Sequence, residues 1–444
     1  MDKKTEHTEI GMSAKSFITA IVVIFTLMVL TYGLTFIVPG GGIPFWKWAL
    51  SPILVLGAEG NVSLIAVILF LLVIGGVFNC LDKCGLMKYM LDMITHQFGE
   101  ERYKLLAVVT LFFMAMGSFI GSFEEAVPLV PIVVALAIRL GWDALVGLGM
   151  SLLAIGCGFA AGVCNPFTVG VAQEIAGLPM FSGMGFRAVG FVLIYLLLLG
   201  FLTLYAKKVE KPLEKDVAEQ TFLYDEKMNR GLKYFVRCMC GGIFVVLSSV
   251  VFPVLQDYTM IIVAITFLAA GITATKASGR GGNMGKTFLN GVMSVLPGVI
   301  MILMANSIKY TLEEGNILNA ILQGMLAIAE TLPGWSIILF IYLIVLVMNF
   351  FISSGSAKAF LLMPLIVPLA EPFGISAQLC VMAFAFGDGF SNVLYPTNPV
   401  LLIGLGLADV DYGTWAKWSW KFQMALQAVQ LMASIKMLLL NPMK

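Results

Sequence analysis

Charge is scarce in this chain. Only 12% of its 444 residues are Asp, Glu, Lys or Arg, against about 25% in a typical soluble domain. Meanwhile 59% are hydrophobic and the mean hydropathy is +0.95. That deficit excludes a soluble reading. A net charge of +1 excludes a broadly basic chain, and with it nucleic acid as a partner. Histidine is nearly missing: His7 and His96 are the two, both lie away from the repeat sites described below, and no nucleophile–base pair is visible, so an enzyme is not expected. The seven cysteines are scattered, several inside apolar runs, without metal-ligand spacing, and read as small core residues. A phosphate-binding loop is missing as well. The segment Gly279-Arg-Gly-Gly-Asn-Met-Gly285-Lys286-Thr287 imitates one, but Arg280 stands where the motif needs glycine, and the segment lies between two apolar runs rather than after a strand. It reads as a cytoplasmic turn. With no sign of ATP use, no cofactor is expected, and the energy source is an ion gradient (proton or sodium) or an exchange gradient.

Apolar runs longer than 18 residues recur from end to end, as in a polytopic membrane protein. Spans are expected near 17–38, 62–80, 144–177, 186–206, 236–256, 260–276, 287–308, 376–408 and 416–440. The first run is longer than a signal-peptide core and lacks a small-residue cleavage site, so an uncleaved first span is expected. Residues 104–140 and 335–371 differ. Each holds two apolar arms split by a polar, glycine-containing tip, Gly121-Ser122-Phe123-Glu124-Glu125 and Ser353-Ser354-Gly355-Ser356-Ala357-Lys358. A polar tip between apolar arms fits a re-entrant hairpin, whose irregular backbone must be buried in protein or line a wet cavity. The alternative is two ordinary spans joined by an exposed loop. Basic residues cluster in the N-terminal segment, after the second span, in 207–235 and after 276, whereas 39–60, 178–185 and 309–334 hold only Lys47 and Lys309. The positive-inside rule then gives about nine transmembrane helices, with the N-terminus in the cytoplasm.

One pattern occurs twice, 233 residues apart. Ala126, Pro131, Ala137, Gly141, Gly156, Asn165 and Pro166 fall without a gap on Ala359, Pro364, Ala370, Gly374, Gly389, Asn398 and Pro399. There are 11 identities over the 41 pairs from 126 to 166, where this composition would give roughly three or four by chance. Each half reads as two spans, a hairpin, a broken span and a final span. Two such halves are antiparallel only if one extra crossing separates them, and 236–256 supplies it. The expected architecture is therefore all-α with inverted repeats. Residues 1–206 form the first repeat, with hairpin 104–140 and broken helix 144–177. A cytoplasmic linker 207–235 and the linking span 236–256 follow. Residues 257–444 form the second repeat, with hairpin 335–371 and broken helix 376–408. Paired halves with Gly/Pro-interrupted segments at matching positions point to the binding site of a secondary transporter.

The chemistry gathers at those interruptions. An acid at membrane depth costs several kcal/mol, so Glu124 and Glu125 at the first tip are functional candidates; the alternative is a pair solvated at a loop end. Two adjacent carboxylates repel, which favours a proton or a cationic group between them. The repeat counterpart of Glu125 is Lys358. A substrate bearing both charges could set its carboxylate by Lys358 and its ammonium by Glu124 or Glu125; alternatively Lys358 and Glu125 are an ion pair that only joins the tips. Asn165-Pro166 and Asn398-Pro399 interrupt long apolar helices. Proline removes a hydrogen bond and frees carbonyls near the midplane, which makes the surroundings of Asn165 and Asn398 a candidate coupling-cation site, although a structural kink is the plainer reading. Ser122, Thr168, Ser354, Gly355, Ser356 and Thr397 add hydroxyls and close backbone approach at the tips and breaks. Asp388 and Asn392, four apart on one helix face, could hold a coupling proton or cation, complete a pocket for a basic group, or simply bond a hairpin tip.

At these residues the chain resembles the ion transporter superfamily, most closely the YfcC-like members of the DcuC/ArcD branch. The segments Gly158-Phe-Ala-Ala-Gly-Val-Cys-Asn165-Pro-Phe-Thr-Val-Gly-Val-Ala-Gln173 and Phe386-Gly-Asp-Gly-Phe-Ser-Asn-Val-Leu-Tyr-Pro-Thr-Asn398-Pro399 carry the resemblance. It implies a homodimer in which a transport domain of hairpins and broken helices moves like an elevator against a fixed scaffold. Related branches are associated with dicarboxylates, with basic amino acids exchanged for ornithine, and with aminobenzoyl-glutamate. Many sodium-coupled relatives carry Ser-Asn-Thr at each tip, where this chain has Ser-Phe-Glu-Glu and Ser-Gly-Ser-Ala-Lys; Glu124 and Glu125 would repel a dianion. The expectation is a secondary transporter of amino acids, of the basic arginine, ornithine or lysine type, by exchange or by proton or cation coupling. It would sit in the lipid of a bacterial cytoplasmic membrane. The alternative is a carrier of dicarboxylates or other small organic anions. A channel, with large currents and no saturable uptake, is the reading from another class.

Overall fold

A segment surrounded by lipid must satisfy its own backbone, so long apolar runs fold as helices. In the computed structural model, which describes residues 14–58, 62–98, 101–121, 123, 127, 129–211, 224–248, 259–329, 331–333 and 336–440, every regular element is helical. Six helices among the described residues are long and apolar enough to cross a membrane: Leu64–Lys83, Arg102–Phe119, Ala144–Ala161, Met184–Val209, Met284–Glu314 and Gly355–Phe373.

The order is α1 (Ala14–Thr35), α2 (Val62–Lys83), α3 (Leu86–Phe98), α4 (Arg102–Ala115), α5 (Val130–Arg139), α6 (Ala144–Ala161), α7 (166–175), α8 (Met184–Val209) and α9 (Glu226–Ser248). Then come α10 (Thr259–Ala277), α11 (Met284–Glu314), α12 (Ile317–Ala329), α13 (Ile337–Phe351), α14 (Gly355–Ala370), α15 (Ala377–Gly389), α16 (Pro399–Leu407) and α17 (Tyr412–Leu440). Both expected hairpins have two helical arms, α4 and α5 around the first tip, α13 and α14 around the second. Both expected broken helices are interrupted, between α6 and α7 and, past a short 3-10 turn at Phe390–Val393, between α15 and α16.

Five helices depart from the sequence expectation. Helix α3 is amphipathic and follows α2 directly, where only a basic loop was read. Helix α9 begins at Glu226, inside the stretch expected to be linker; the end of the expected span, 249–256, lies outside the described residues. Helix α12 and two short helices, Phe45–Ala49 and Ser51–Leu54, occupy segments read as loops. The imitation phosphate loop is a turn: Asn283 Oδ1 accepts the Lys286 N–H and caps α11.

Two packing centres result. One joins α2, α9, α10 and α11. Phe78 and Phe235 pack on Phe267 in tilted and edge-to-face contact, at centroid separations of 5.4 and 6.0 Å. Helices α2 and α11 cross where a Cβ on Gly75 would lie 2.6 Å from Gly291 O, and one on Gly291 would lie 2.2 Å from Gly75 O. Small residues permit such backbone approach in membrane bundles. The other centre is the crossing of α6 and α15, enclosed by α4, α8, α13 and α17; Trp415, fully buried, donates Nε1–H to Val393 O at 2.8 Å. Ion pairs tie the periphery. Arg102 pairs with Glu210 and Arg139 with Asp92, joining the ends of the first hairpin to α8 and α3. Lys47 pairs with Glu314 at the far end of α11.

Candidate substrate and coupling site

The two broken helices meet in a reciprocal contact. A Cβ on Gly389 would lie 2.0 Å from Ala160 Cα, and one on Gly156 would lie 2.6 Å from Val393 Cγ1. Gly156 and Gly389 are counterparts at the 233-residue offset, and so are Ala160 and Val393. Each helix thus presents its glycine to the residue four positions further along in the other. The local capping recurs at that offset too. Asp143 caps α6 by accepting the Val146 N–H at 3.1 Å, and Ser376 caps α15 by accepting the Leu379 N–H at 3.4 Å.

After each break, an asparagine restarts the helix. Asparagine favours the N-cap because its side-chain oxygen accepts an otherwise orphaned N–H, and proline tolerates the first helical position because it lacks one. Asn165 Oδ1 accepts from Thr168 N at 3.2 Å. Asn398 Oδ1 accepts from Val400 N at 2.9 Å and Leu401 N at 3.3 Å. Not all carbonyls freed at the breaks are open to a ligand. Val163 O accepts from Arg187, Val393 O from Trp415 and Gln423, and Leu394 O from Tyr412.

Charge is concentrated at the second break. Lys358, on the first turn of α14, is 0% exposed and forms an ion pair with Asp388 of α15, 1% exposed. Its ammonium also donates to Asn349 Oδ1 on α13. Asn349 in turn donates Nδ2–H to Asp388 O at 3.0 Å, Ser391 Oγ at 2.6 Å and Asn392 Oδ1 at 3.1 Å. Asn392 donates to Asp388 O at 3.0 Å, and Asn398 donates to Asn392 Oδ1 at 3.0 Å. Every member is buried. A buried ion pair persists only with this kind of support, because desolvation of two charges consumes much of their attraction.

The cluster reaches the first break through Gly355. A Cβ there would lie 2.2 Å from Thr168 Cγ2, 2.9 Å from Asp388 Oδ2 and 3.6 Å from Phe159 Cζ. The N-terminal turn of α14 thereby meets the N-terminal turn of α7. Phe123, at the first tip, is buried with its ring 6.0 Å from that of Phe159. The hydroxyls of Thr168 and Thr397 are buried without a hydrogen-bond partner among the described residues, and so are available to a ligand.

Of the candidates read from sequence, Asn165, Thr168, Gly355, Lys358, Asp388, Asn392 and Asn398 come together in this connected cluster, and Thr397 is buried beside Asn398 in the chain. Ser354 is exposed and caps α14 through a 3.4 Å bond from Ala357 N, while Ser356 is half-buried and 3.4 Å from it. Ser122, Glu124 and Glu125 lie outside the described residues. Sequence reasoning missed Asn349, whose signal is a lone amide in an otherwise apolar arm, and Ser391. It also missed Arg187, fully buried at the start of α8, which clamps Val163 O with two N–H groups and donates to Ser182 O at 2.8 Å. Among the described residues Arg187 has no carboxylate partner.

An all-helical apolar bundle whose buried polar groups gather at two helix breaks is the site of a membrane carrier. The chain belongs to the DcuC family, described as C4-dicarboxylate anaerobic carriers, whose profile matches residues 48–441. It is therefore a transporter, not an enzyme. It is 32% identical over 383 residues to YfcC of Escherichia coli K12, whose name proposes basic amino acid antiport; the match covers 80% of this chain and 73% of that protein. It is 26% identical over 373 residues to an uncharacterized protein of Haemophilus influenzae, covering 81% and 72%. The crystal structure of the YdaH transporter of Alcanivorax borkumensis aligns over 96% of this chain and 99% of its own, with 16% identity and a TM-score of 0.46.

Proposed function

We propose that this carrier exchanges amino acids, preferentially basic ones, by an elevator movement. Residues 1–206 and 257–444 are two inverted repeats that build one substrate site at their breaks and tips. The repeat reading is supported by the reciprocal Gly156–Val393 and Ala160–Gly389 contacts and by caps recurring at one offset. Hairpins and broken helices form the moving body; α2, α9, α10 and α11 form the scaffold. The cytoplasmic N-terminus, the linker 207–235, the linking span 236–256 and a homodimer belong to the same proposal.

The observation that carries the substrate reading is the neutrality of the buried cluster. Lys358 is matched by Asp388, and Arg187 is engaged by carbonyls, so a dianion meets no uncommitted cation among the described residues at the junction. An amino acid asks for less. Its carboxylate suits the N-terminus of α14, where the first N–H groups and the helix dipole favour an anion. The Thr168 and Thr397 hydroxyls add donors. Glu124 and Glu125, next in sequence to the buried Phe123, supply the negative charge that a basic side chain or ammonium requires. The name of the relative at 32% identity supports the same choice.

The family description favours a second reading, a carrier of dicarboxylates or other small organic anions. Thermal unfolding of the purified protein separates the two, because a ligand stabilises the state it binds. Arginine, ornithine or lysine is expected to raise the melting point, and succinate to leave it unchanged. Stabilisation by dicarboxylates alone would reverse the assignment. Replacing Glu124 and Glu125 by Gln is expected to abolish arginine uptake into proteoliposomes.

A further inference from the structure

We infer that the Lys358 ammonium is a tethered cation occupying what would otherwise be an alkali-metal site between α13 and α15, so that the carrier works without a coupling metal ion. The inference rests on the transport reading of this site. Its evidence is the company the ammonium keeps. It is held by a carboxylate oxygen of Asp388 and an amide oxygen of Asn349, both buried, in a cluster whose further polar atoms are those of Asn392, Ser391 and Asn398. Carboxylate and amide oxygens of the kind that hold the ammonium are hard donors, suited to a hard cation. A carboxylate at membrane depth needs a compensating charge. Here that charge arrives on a side chain anchored one turn into α14, whose backbone begins at the Ser354 cap.

The tether has a mechanistic consequence. A diffusible ion must bind before the site is complete and leave after each cycle, which couples transport to the ion's gradient. An ammonium carried by α14 completes the site whenever the second tip is seated against Asp388 and Thr168, where Gly355 permits the approach. The ion-binding step is replaced by docking of the tip, and no alkali-cation gradient is drawn upon. The occupant of this site is thereby part of the chain, and the exchange reading gains a physical basis.

The test measures cation binding rather than uptake, so it stands even if arginine proves not to be the substrate. Full-length protein in detergent is titrated with sodium, potassium or lithium chloride at constant ionic strength against choline chloride, while thermal unfolding is followed. Wild type is expected to show no saturable, cation-specific shift. Lys358→Ala, which vacates the ammonium and leaves Asp388 uncompensated, is expected to gain a saturable rise in melting point with one of the three ions, and Lys358→Ala/Asp388→Asn to lose it. A saturable sodium shift in wild type would overturn the inference, and that measurement needs no variant. A folded, monodisperse Lys358→Ala that responds to none of the three ions would overturn it equally. Should Lys358→Ala fail to fold in choline, its recovery by expression and purification in sodium supports the inference, and failure in all three salts counts against it.

Discussion

Substituting Gly389 by alanine tests the crossing of the broken helices. The added Cβ would lie 2.0 Å from Ala160 Cα, 2.2 Å from its Cβ and 2.5 Å from its N. Carbon atoms settle at about 3.5–4.0 Å, so the helices must part by roughly 1.5 Å at this point. Alanine gains about 1 kcal/mol of helix propensity over glycine. Against that, forcing volume into a packed core typically costs about 1–3 kcal/mol. The upper end applies here, because the obstacle is backbone and no rotamer change relieves it. The net expectation is a loss of about 2 kcal/mol and a clear fall in melting point. Gly156→Ala makes the matching change on the other helix, but meets Val393 Cγ1 at 2.6 Å and Cγ2 at 2.9 Å, which are side-chain atoms. It is expected to cost less, about 1 kcal/mol by the same reasoning, and Val393→Ala added to it should recover part of the loss. Thermal unfolding of the purified variants, with uptake in proteoliposomes alongside, reads the series. The reasoning fails if Gly389→Ala melts at or above wild type, or if Gly156→Ala is the more damaging of the two.

Three other outcomes are expected. Asp388→Asn and Lys358→Met should each destabilise by about 3–5 kcal/mol, because one buried charge is left alone, whereas the double variant should recover most of that loss; melting points that simply add would refute the pairing. Arg187→Lys keeps the charge but loses the fork on Val163 O, at a cost of about 1.5–3 kcal/mol for a hydrogen bond to a charged group, and should lower both melting point and uptake. The Glu314 carboxylate, mainly through its hydrogen bond, raises the Lys47 ammonium above the ordinary lysine value. A raised value in the folded state means the contribution is whole at neutral pH and is lost as pH climbs through the folded-state value. Lys47→Met should therefore differ from wild type at neutral pH and converge with it only in the strongly alkaline range.

The breaks and the second tip were legible in the sequence because each interrupts an apolar run with residues that a continuous helix tolerates poorly, Asn-Pro at 165 and 398 and Ser-Gly-Ser at 354. Helix α9 was harder to read. Lys227, Arg230, Lys233 and Arg237 resemble linker charges, yet Met228, Leu232 and Phe235 form a buried stripe on the same helix. Helix α3 was hidden for the same reason: it offers one apolar face rather than a continuous run. For Lys358 the sequence offered Glu125 as an ion-pair partner, whereas the described structure pairs it with Asp388. Asp388 is thirty residues away on another helix, and only the packing of α13, α14 and α15 decides that these two charges meet.

The ion pair of Lys358 and Asp388 also bears on voltage. Moving one elementary charge through the full membrane potential is worth about 2.3 kcal/mol per 100 mV. A tip that crossed the field with an unmatched lysine or aspartate would feel that force on every cycle, loaded or not. In the elevator movement proposed above, the two charges would travel as a neutral unit and contribute nothing to the electrical work. The membrane potential then acts through whatever other charge moves with the body, and this pair leaves an exchange of two equally charged amino acids electrically silent.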